Sequence, residues 1–121
     1  MKTAVLDTNF ILTCIKEKID FIEDLQFKGF TLAVPEQVLH ELEKLSEKKG
    51  AVKARAEFAL RLLNAHNLKK IDLGTKNVDF GLVRHSKNNE GVVIATIDRA
   101  LKRRIRGNKI VIRNKRRLEV V

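Results

Sequence analysis

The chain has little of what several classes of protein need. Its single cysteine, Cys14, excludes an internal disulfide and a cysteine-rich zinc site. No stretch approaches the roughly 20 apolar residues of a membrane helix, and an acid at position 7 interrupts any signal-peptide core. The six glycines stand singly, so no glycine-rich phosphate loop is present. We therefore expect a cytoplasmic protein with no membrane partner.

What the chain does have is enough apolar sequence for one folded domain. It has 121 residues, and 44% of them are hydrophobic. It contains no internal repeat, low-complexity tract or flexible linker. This predicts a single domain over residues 1–121, which ends in a basic segment at 99–117.

Positive charge is concentrated at the end of the chain. Residues 1–98 hold fifteen Lys and Arg against fourteen Asp and Glu, whereas residues 99–117 hold no acid. An uncompensated basic segment favours a polyanionic partner, most simply a nucleic acid, over a merely solvated surface. Because the only aromatic residues are six Phe, recognition should depend on backbone charge and RNA shape. The candidate nucleic-acid-binding residues are Arg99, Lys102, Arg103, Arg104, Arg106, Lys109, Arg113, Lys115, Arg116 and Arg117.

Short apolar runs alternate with segments of helical periodicity. Such alternation is typical of an α/β architecture with a mainly parallel sheet and helices on both faces. In the longest helix, 52–65, we expect Ala54, Phe58, Leu62 and Ala65 to share the buried face. The predicted strands are 4–6, 30–34, 71–73, 92–95, 110–112 and 118–121, and the predicted helices are 10–17, 20–27, 36–48, 52–65, 77–87 and 99–106.

Four acids lie where such a sheet binds ligands, beyond the carboxyl ends of its strands. Asp7 and Asp98 each follow an apolar strand, and each is also a natural helix N-cap. Glu41 borders the apolar stripe of helix 36–48, where a surface salt bridge is the alternative. Asp79 begins a helix, where a carboxylate is stabilised by the helix dipole in any case.

Taken together, the four acids favour one functional site over four separate structural roles. Carboxylates gathered at one edge repel one another unless a cation lies between them, and Mg²⁺ and Mn²⁺ prefer oxygen ligands. A metal held in this way polarises phosphoryl oxygens and lowers the pKa of bound water. Combined with a basic flank, the set predicts metal-dependent phosphodiester hydrolysis.

Four segments in order resemble the PIN domain family: VLDTNF, PEQVLHELEKL, NVDFGLV and VVIATIDRAL. The resemblance implies a three-layer α/β/α sandwich and a ribonuclease that uses Mg²⁺ or Mn²⁺. It assigns catalysis and metal binding to Asp7, Glu41, Asp79 and Asp98. The polar residues that it implies as support for the acids or for a metal-bound water are Thr8, Asn9 and Thr96.

The family leaves the biological role open between two kinds of nuclease. One is the VapC-type toxin held by an antitoxin, and the other is a nuclease of rRNA processing with ribosome-assembly partners. The basic end and the long helix 52–65 favour the latter. That helix could also supply a homodimer face, which periodicity does not separate from packing within the chain.

Two further classes compete with the nuclease. A catalytically silent RNA-binding module would keep the basic segment and lack metal binding. A phosphoacceptor receiver domain needs an adjacent acid pair after the first strand, and Asp7-Thr8-Asn9 lacks that pair.

Overall fold

Residues 2–121, the part of the chain that the computed structural model describes, form six strands and six helices in alternation. In chain order they are β1 (Lys2–Leu6), α1 (Thr8–Lys16), α2 (Phe21–Phe27), β2 (Phe30–Pro35), α3 (Glu36–Ser46), α4 (Ala51–Ala65), β3 (Lys69–Ile71), α5 (Val78–Asn88), β4 (Val92–Ala95), α6 (Arg99–Arg104), β5 (Lys109–Arg113) and β6 (Arg117–Val120). None of the helices in this range is long and apolar enough to cross a membrane.

The strands form one sheet in the order β3-β2-β1-β4-β5-β6. Neighbouring strands run parallel except β6, which returns antiparallel to β5. From β1 the chain adds β2 and β3 on one side and then crosses to place β4 on the other. The carboxyl ends of β1 and β4 therefore form the switch point at which open α/β sheets bind ligands.

Apolar side chains from alternate positions of the strands form two cores, one on each face of the sheet. Ala4 and Leu6 of β1 pack with the helices α1 to α4. Val5 between them packs with Leu82 and Leu101 from α5 and α6 on the opposite face. This is the three-layer α/β/α sandwich with a mainly parallel sheet, and it confirms the predicted fold.

The buried face of α4 differs from the one that the sequence predicts. Ala56, Ala59 and Leu63 are buried, while Phe58 is 45% exposed. Of the other predicted residues, Ala54 and Ala65 are exposed and Leu62 is partly buried. Apolar residues occupy almost every direction around this helix, so periodicity does not single out one face. Small side chains decide the outcome, because they let α4 lie close to α1 and α3.

The third strand also differs, since β3 spans Lys69–Ile71 and not 71–73. The two residues after β3, Asp72 and Leu73, hydrogen-bond to the side chain of Gln37 and do not continue the strand. Its Oε1 accepts a hydrogen bond from the Leu73 N–H at 3.2 Å, and its Nε2 donates to Asp72 at 2.8 Å. Leu73 then packs in the core beneath α5. The remaining elements match their predicted positions to within two residues at each end, which is the ordinary uncertainty of helix ends.

Candidate active site

Asp7 lies at the centre of the switch point, at the end of β1. Its N–H donates to the carbonyl of Ala95 at 3.0 Å, so its backbone is held by the neighbouring strand β4. Its side chain is only 7% exposed. One carboxylate oxygen accepts from the Thr8 N–H at 2.9 Å, and the other accepts from the Thr96 hydroxyl at 2.8 Å.

The surroundings of Asp7 oppose its negative charge. Burial raises the pKa of the Asp7 carboxyl above its ordinary value, and the hydrogen bonds from Thr96 and Thr8 act in the opposite direction. The negative charges of Asp79 and Glu41 raise the same pKa further. Burial and the neighbouring acids therefore outweigh the hydrogen bonds that favour the ionised form of Asp7.

Glu41 reaches this centre from α3. Thr8 Oγ1 donates to Glu41 Oε1 at 2.8 Å, which ties the first turn of α1 to the middle of α3. The predicted border position of Glu41 explains this placement, because the side chain is exposed yet directed to a crevice.

Asp79 faces the same crevice from the first turn of α5. The side chain of Asn77 caps this helix by accepting a hydrogen bond from the Phe80 N–H at 2.9 Å. Glu41 and Asp79 both line a cleft of about 760 Å³ between α3 and the start of α5. Glu41 and Asp79 thus share one cleft, and both act electrostatically on Asp7, although the three positions lie far apart in the chain.

Asp98 is placed differently from the other three acids. One of its carboxylate oxygens accepts from the N–H groups of Ala100 and Leu101, at 2.9 and 3.1 Å, and so caps α6. Its own N–H donates to Thr96 Oγ1 at 3.1 Å. The fully buried Thr96 therefore links Asp98 to Asp7, and the helix-cap interpretation of Asp98 describes its carboxylate in this structure.

The chemistry of this cluster fits a divalent cation. Its donors are all oxygen atoms, and a cation would offset the burial of Asp7 and the negative charges of Asp79 and Glu41, which together raise the pKa of Asp7. As placed within residues 2–121, no three Asp, Glu, His or Cys side chains converge closely enough to hold a metal ion. Metal binding would therefore require rotation of acidic side chains toward one another. Glu41 can rotate in this way because it is exposed.

The cleft also holds polar residues that sequence reasoning did not select. Gln37, His40, Glu41 and Lys44 follow one another at helical spacing and line its α3 side. His40 is exposed and lies beside Glu41 at the cleft. This polar stripe, which runs beside the apolar stripe of the same helix, is the sequence signal that could have identified these residues. Lys76, in the loop before α5, lines the cleft as well and carries no comparable pattern.

Asn9 is exposed and lies beside a second, smaller cavity of about 200 Å³. Lys16, Arg55 and Ile97 also line this cavity. Asn9 therefore lies near the acids without a hydrogen bond to any of them in the described structure.

The ten cations of the basic segment do not form one continuous patch. Because β5 runs parallel to β4, Arg113 and the turn that follows it lie at the same edge of the sheet as Asp7. Arg113 is paired with Glu119 at 3.1 Å. Arg104, in contrast, is the last residue of α6, and Arg106 lies two residues beyond it. Both border a separate groove.

Comparison with known proteins agrees with this fold. The model of a PIN-like domain family matches residues 4–117. Ribonuclease VapC4 of Methanocaldococcus jannaschii is 31% identical over 128 residues, covering 99% of this chain and 97% of that protein. The rRNA-processing protein fcf1 of Schizosaccharomyces pombe is 31% identical over 108 residues, covering 85% of this chain and 53% of that protein. The chain therefore spans about half the length of fcf1.

A solved structure, that of the PIN domain endonuclease Utp24, superposes with a TM-score of 0.80. The identity is 27%, and the match covers 98% of this chain and 90% of that one. A three-layer sandwich with acids at its switch point defines a nuclease-like α/β domain. The chain belongs to the PIN-like domain family, which confirms the resemblance of the four sequence segments. Its relatives include nucleases, and nucleases of this family generally use divalent metal ions.

Proposed function

We propose that this protein is a metal-dependent endoribonuclease that hydrolyses RNA phosphodiester bonds at the cleft between α3 and α5. The acids Asp7, Glu41, Asp79 and Asp98 are its catalytic and metal-binding residues. The observation that best supports this proposal is the position of Asp7, which is buried at the switch point. Burial and the negative charges of Asp79 and Glu41 raise the pKa of its carboxyl.

The residues around the acids have defined roles in this proposal. Thr8 and Thr96 donate to Glu41 and Asp7 and so orient one oxygen of each carboxylate. The four acids would hold Mg²⁺ or Mn²⁺, which would lower the pKa of a water molecule at the site and polarise the phosphate. Lys44 and Lys76 at the cleft balance the charge of an RNA backbone there. The basic residues at 99–117 hold the flanking strand.

The decisive experiment compares the wild type with Asp7→Asn on an end-labelled, structured RNA in Mn²⁺, Mg²⁺ or EDTA. We expect metal-dependent cleavage by the wild type and a loss of at least about 100-fold in the variant. RNA binding should be retained or strengthened, since a negative charge is removed. The matched control is Asp24→Asn on α2. The Asp24 carboxylate pairs with Lys28, and neither residue lines the cleft. Cleavage by Asp7→Asn at the wild-type rate would show that the assignment is wrong.

The biological role that we propose is rRNA processing, because a long basic flank suits a large RNA substrate. The partner would then belong to ribosome assembly, and the location would be cytoplasmic. The match to VapC4 over nearly its whole length keeps toxin activity, with an antitoxin partner, as the alternative. Induced expression separates the two, because a toxin arrests growth of the host while Asp7→Asn does not. A processing nuclease leaves growth unaffected in both cases.

A second candidate function is a catalytically silent RNA-binding module. It is favoured by Asp98, whose carboxylate is engaged as a helix cap, and by the absence within residues 2–121 of a preformed three-residue metal cluster. Calorimetric titration with Mn²⁺ discriminates the two. Binding that Asp7→Asn abolishes supports the enzyme, and no heat at millimolar Mn²⁺ supports the module.

A further inference from the structure

A groove between α5 and the end of α6 combines cations with an exposed aromatic ring. It has a volume of about 470 Å³. Its lining residues are Phe80, Val83, Arg84, Lys87, Arg104 and Arg106. Four of these six residues are cationic, and none is acidic. Two of the cations, Arg84 and Lys87, lie outside the basic segment of the sequence.

The Phe80 ring is held in place and open to solvent. It is 48% exposed, and its backbone N–H is fixed by the Asn77 side chain at the start of α5. The guanidinium of Arg84 lies 5.4 Å from the centre of the ring. That guanidinium also donates to the Leu73 carbonyl, so a backbone contact fixes its position against Phe80. The pair is therefore preorganised, and part of the ring remains free for another planar group.

Phe80 also follows Asp79 directly in the chain. Consecutive helical residues point about 100° apart, so Asp79 faces the acidic cleft while Phe80 faces this groove. An RNA strand that leaves the cleft across the first turn of α5 would reach Phe80 next.

We propose that this groove is a nucleotide-binding site for single-stranded RNA beside the cleavage site. One base stacks on Phe80, with Arg84 fixed against the same ring, and Lys87, Arg104 and Arg106 contact the backbone phosphates. Aromatic stacking binds any base, and the cations bind phosphate without regard to sequence. The site therefore adds affinity for unpaired RNA without sequence preference. The inference rests on the proposed function in taking RNA as the ligand.

The chain contains no tryptophan, which makes a direct test possible. In Phe80→Trp the new indole is the only one in the protein, and a stacked base should quench its fluorescence. Phe58→Trp on α4 is the matched control, because Phe58 is 45% exposed and lies outside the groove. The titrant is a short single-stranded RNA in EDTA, so that cleavage does not enter the measurement. We expect saturable quenching of Phe80→Trp and none of Phe58→Trp.

Affinity provides the second measurement, by fluorescence anisotropy of the labelled RNA. Phe80→Ala should weaken binding by about 5- to 100-fold, the range expected when one base no longer stacks on an aromatic ring, and Phe58→Ala should leave it unchanged. An abasic oligonucleotide of the same length should bind wild type and Phe80→Ala equally. Thermal unfolding of each variant checks that the fold is retained.

Three results would overturn the inference. One is absence of quenching at saturating RNA, and another is equal weakening of RNA and abasic binding by Phe80→Ala. The third is displacement of the RNA by an equal concentration of heptaglutamate, which would indicate an acidic protein partner. Failure of cleavage with retained quenching would reject the nuclease and keep this site. Cleavage without quenching would reject this site and keep the nuclease.

Discussion

At the scale of single residues, two aspartates show opposite electrostatic behaviour. Burial, together with Asp79 and Glu41, raises the pKa of Asp7. The hydrogen bonds from the Gly74 N–H and from Gln37 lower the pKa of the exposed Asp72. A carboxyl whose pKa is raised on folding reduces stability as it ionises, and one whose pKa is lowered adds stability. Ionisation of Asp7 thus costs folding free energy, which is common for groups at functional sites.

This contrast predicts how stability depends on pH. Asp7→Asn should raise the free energy of unfolding at pH 7, and the gain should shrink as the pH falls toward 3.8, the ordinary value of the group. Asp72→Asn should lower the free energy of unfolding at pH 7, and because its folded pKa lies below 3.8, this loss should persist over the same range and shrink only at lower pH. Urea unfolding between pH 4 and pH 7 compares the two, because the effect of Asp7→Asn should change with pH there and that of Asp72→Asn should not. A destabilised Asp7→Asn at neutral pH would contradict the prediction.

Thr96 is the residue that joins the two strand-end acids. Its hydroxyl donates to Asp7 and accepts from the Asp98 N–H. Groups that orient metal ligands typically affect metal affinity or activity by about 10- to 100-fold. We expect Thr96→Val to raise the Mn²⁺ concentration for half-maximal cleavage within that range. Thr3→Val on the same sheet is the control, and an unchanged Mn²⁺ requirement in Thr96→Val would argue against the role.

At the scale of elements, each acid is positioned by a different helix or strand. Asp7 and Asp98 follow β1 and β4, Glu41 comes from the middle of α3, and Asp79 lies in the first turn of α5. The α3 position depends on packing against α4, and that packing uses small residues. The geometry of the cleft therefore depends on side chains that never touch a substrate.

The observed face of α4 gives a prediction at this scale. Ala56→Leu inserts a larger side chain where Ala56 is fully buried and should lower the free energy of unfolding by about 1–3 kcal/mol. Ala54 lies on the face that the sequence analysis expected to be buried, but it is exposed. Ala54→Leu should therefore change the free energy of unfolding by no more than about 0.5 kcal/mol. Urea unfolding compares them. Equal destabilisation by both would contradict the packing.

At the scale of the whole molecule, positive charge is divided between two surfaces. The β5–β6 turn lies at the edge of the sheet that carries Asp7, and the groove beside Phe80 lies against α5 and α6. A net charge of +10 on 121 residues attracts any polyanion at long range. Under the proposed function, both surfaces would be available to the phosphates of an RNA backbone.

The salt dependence of RNA binding tests the contribution of the turn. Removing one cation that binds a backbone phosphate should reduce the slope of log affinity against log salt by about 0.7 for a single strand. Arg116→Gln combined with Arg117→Gln removes two such cations and should therefore reduce the slope by about 1.4. Lys48→Gln combined with Lys49→Gln, in the connection between α3 and α4, should leave the slope unchanged. Anisotropy titrations at several salt concentrations measure it, and equal slopes in both double variants would contradict the prediction.

The sequence by itself determined the layers of the fold and the positions of Asp7 and Asp98. Apolar runs ending in Asp7 and in Thr96-Ile97-Asp98 identify buried strands and their carboxyl ends, because these features are local. The same reasoning placed Glu41 at the border of its stripe. The cap of α5 by Asn77 was equally readable, since it depends on residues within one turn.

Only the tertiary structure decided which of these residues meet. Thr8 bonds to a residue 33 positions away and Thr96 to one 89 positions away, and no periodicity encodes such pairs. The packed face of α4, the early end of β3 at Gln37 and the exposure of Phe80 were decided in the same way. The physical reason is that several local patterns are almost equal in energy, and close packing between distant segments selects one of them.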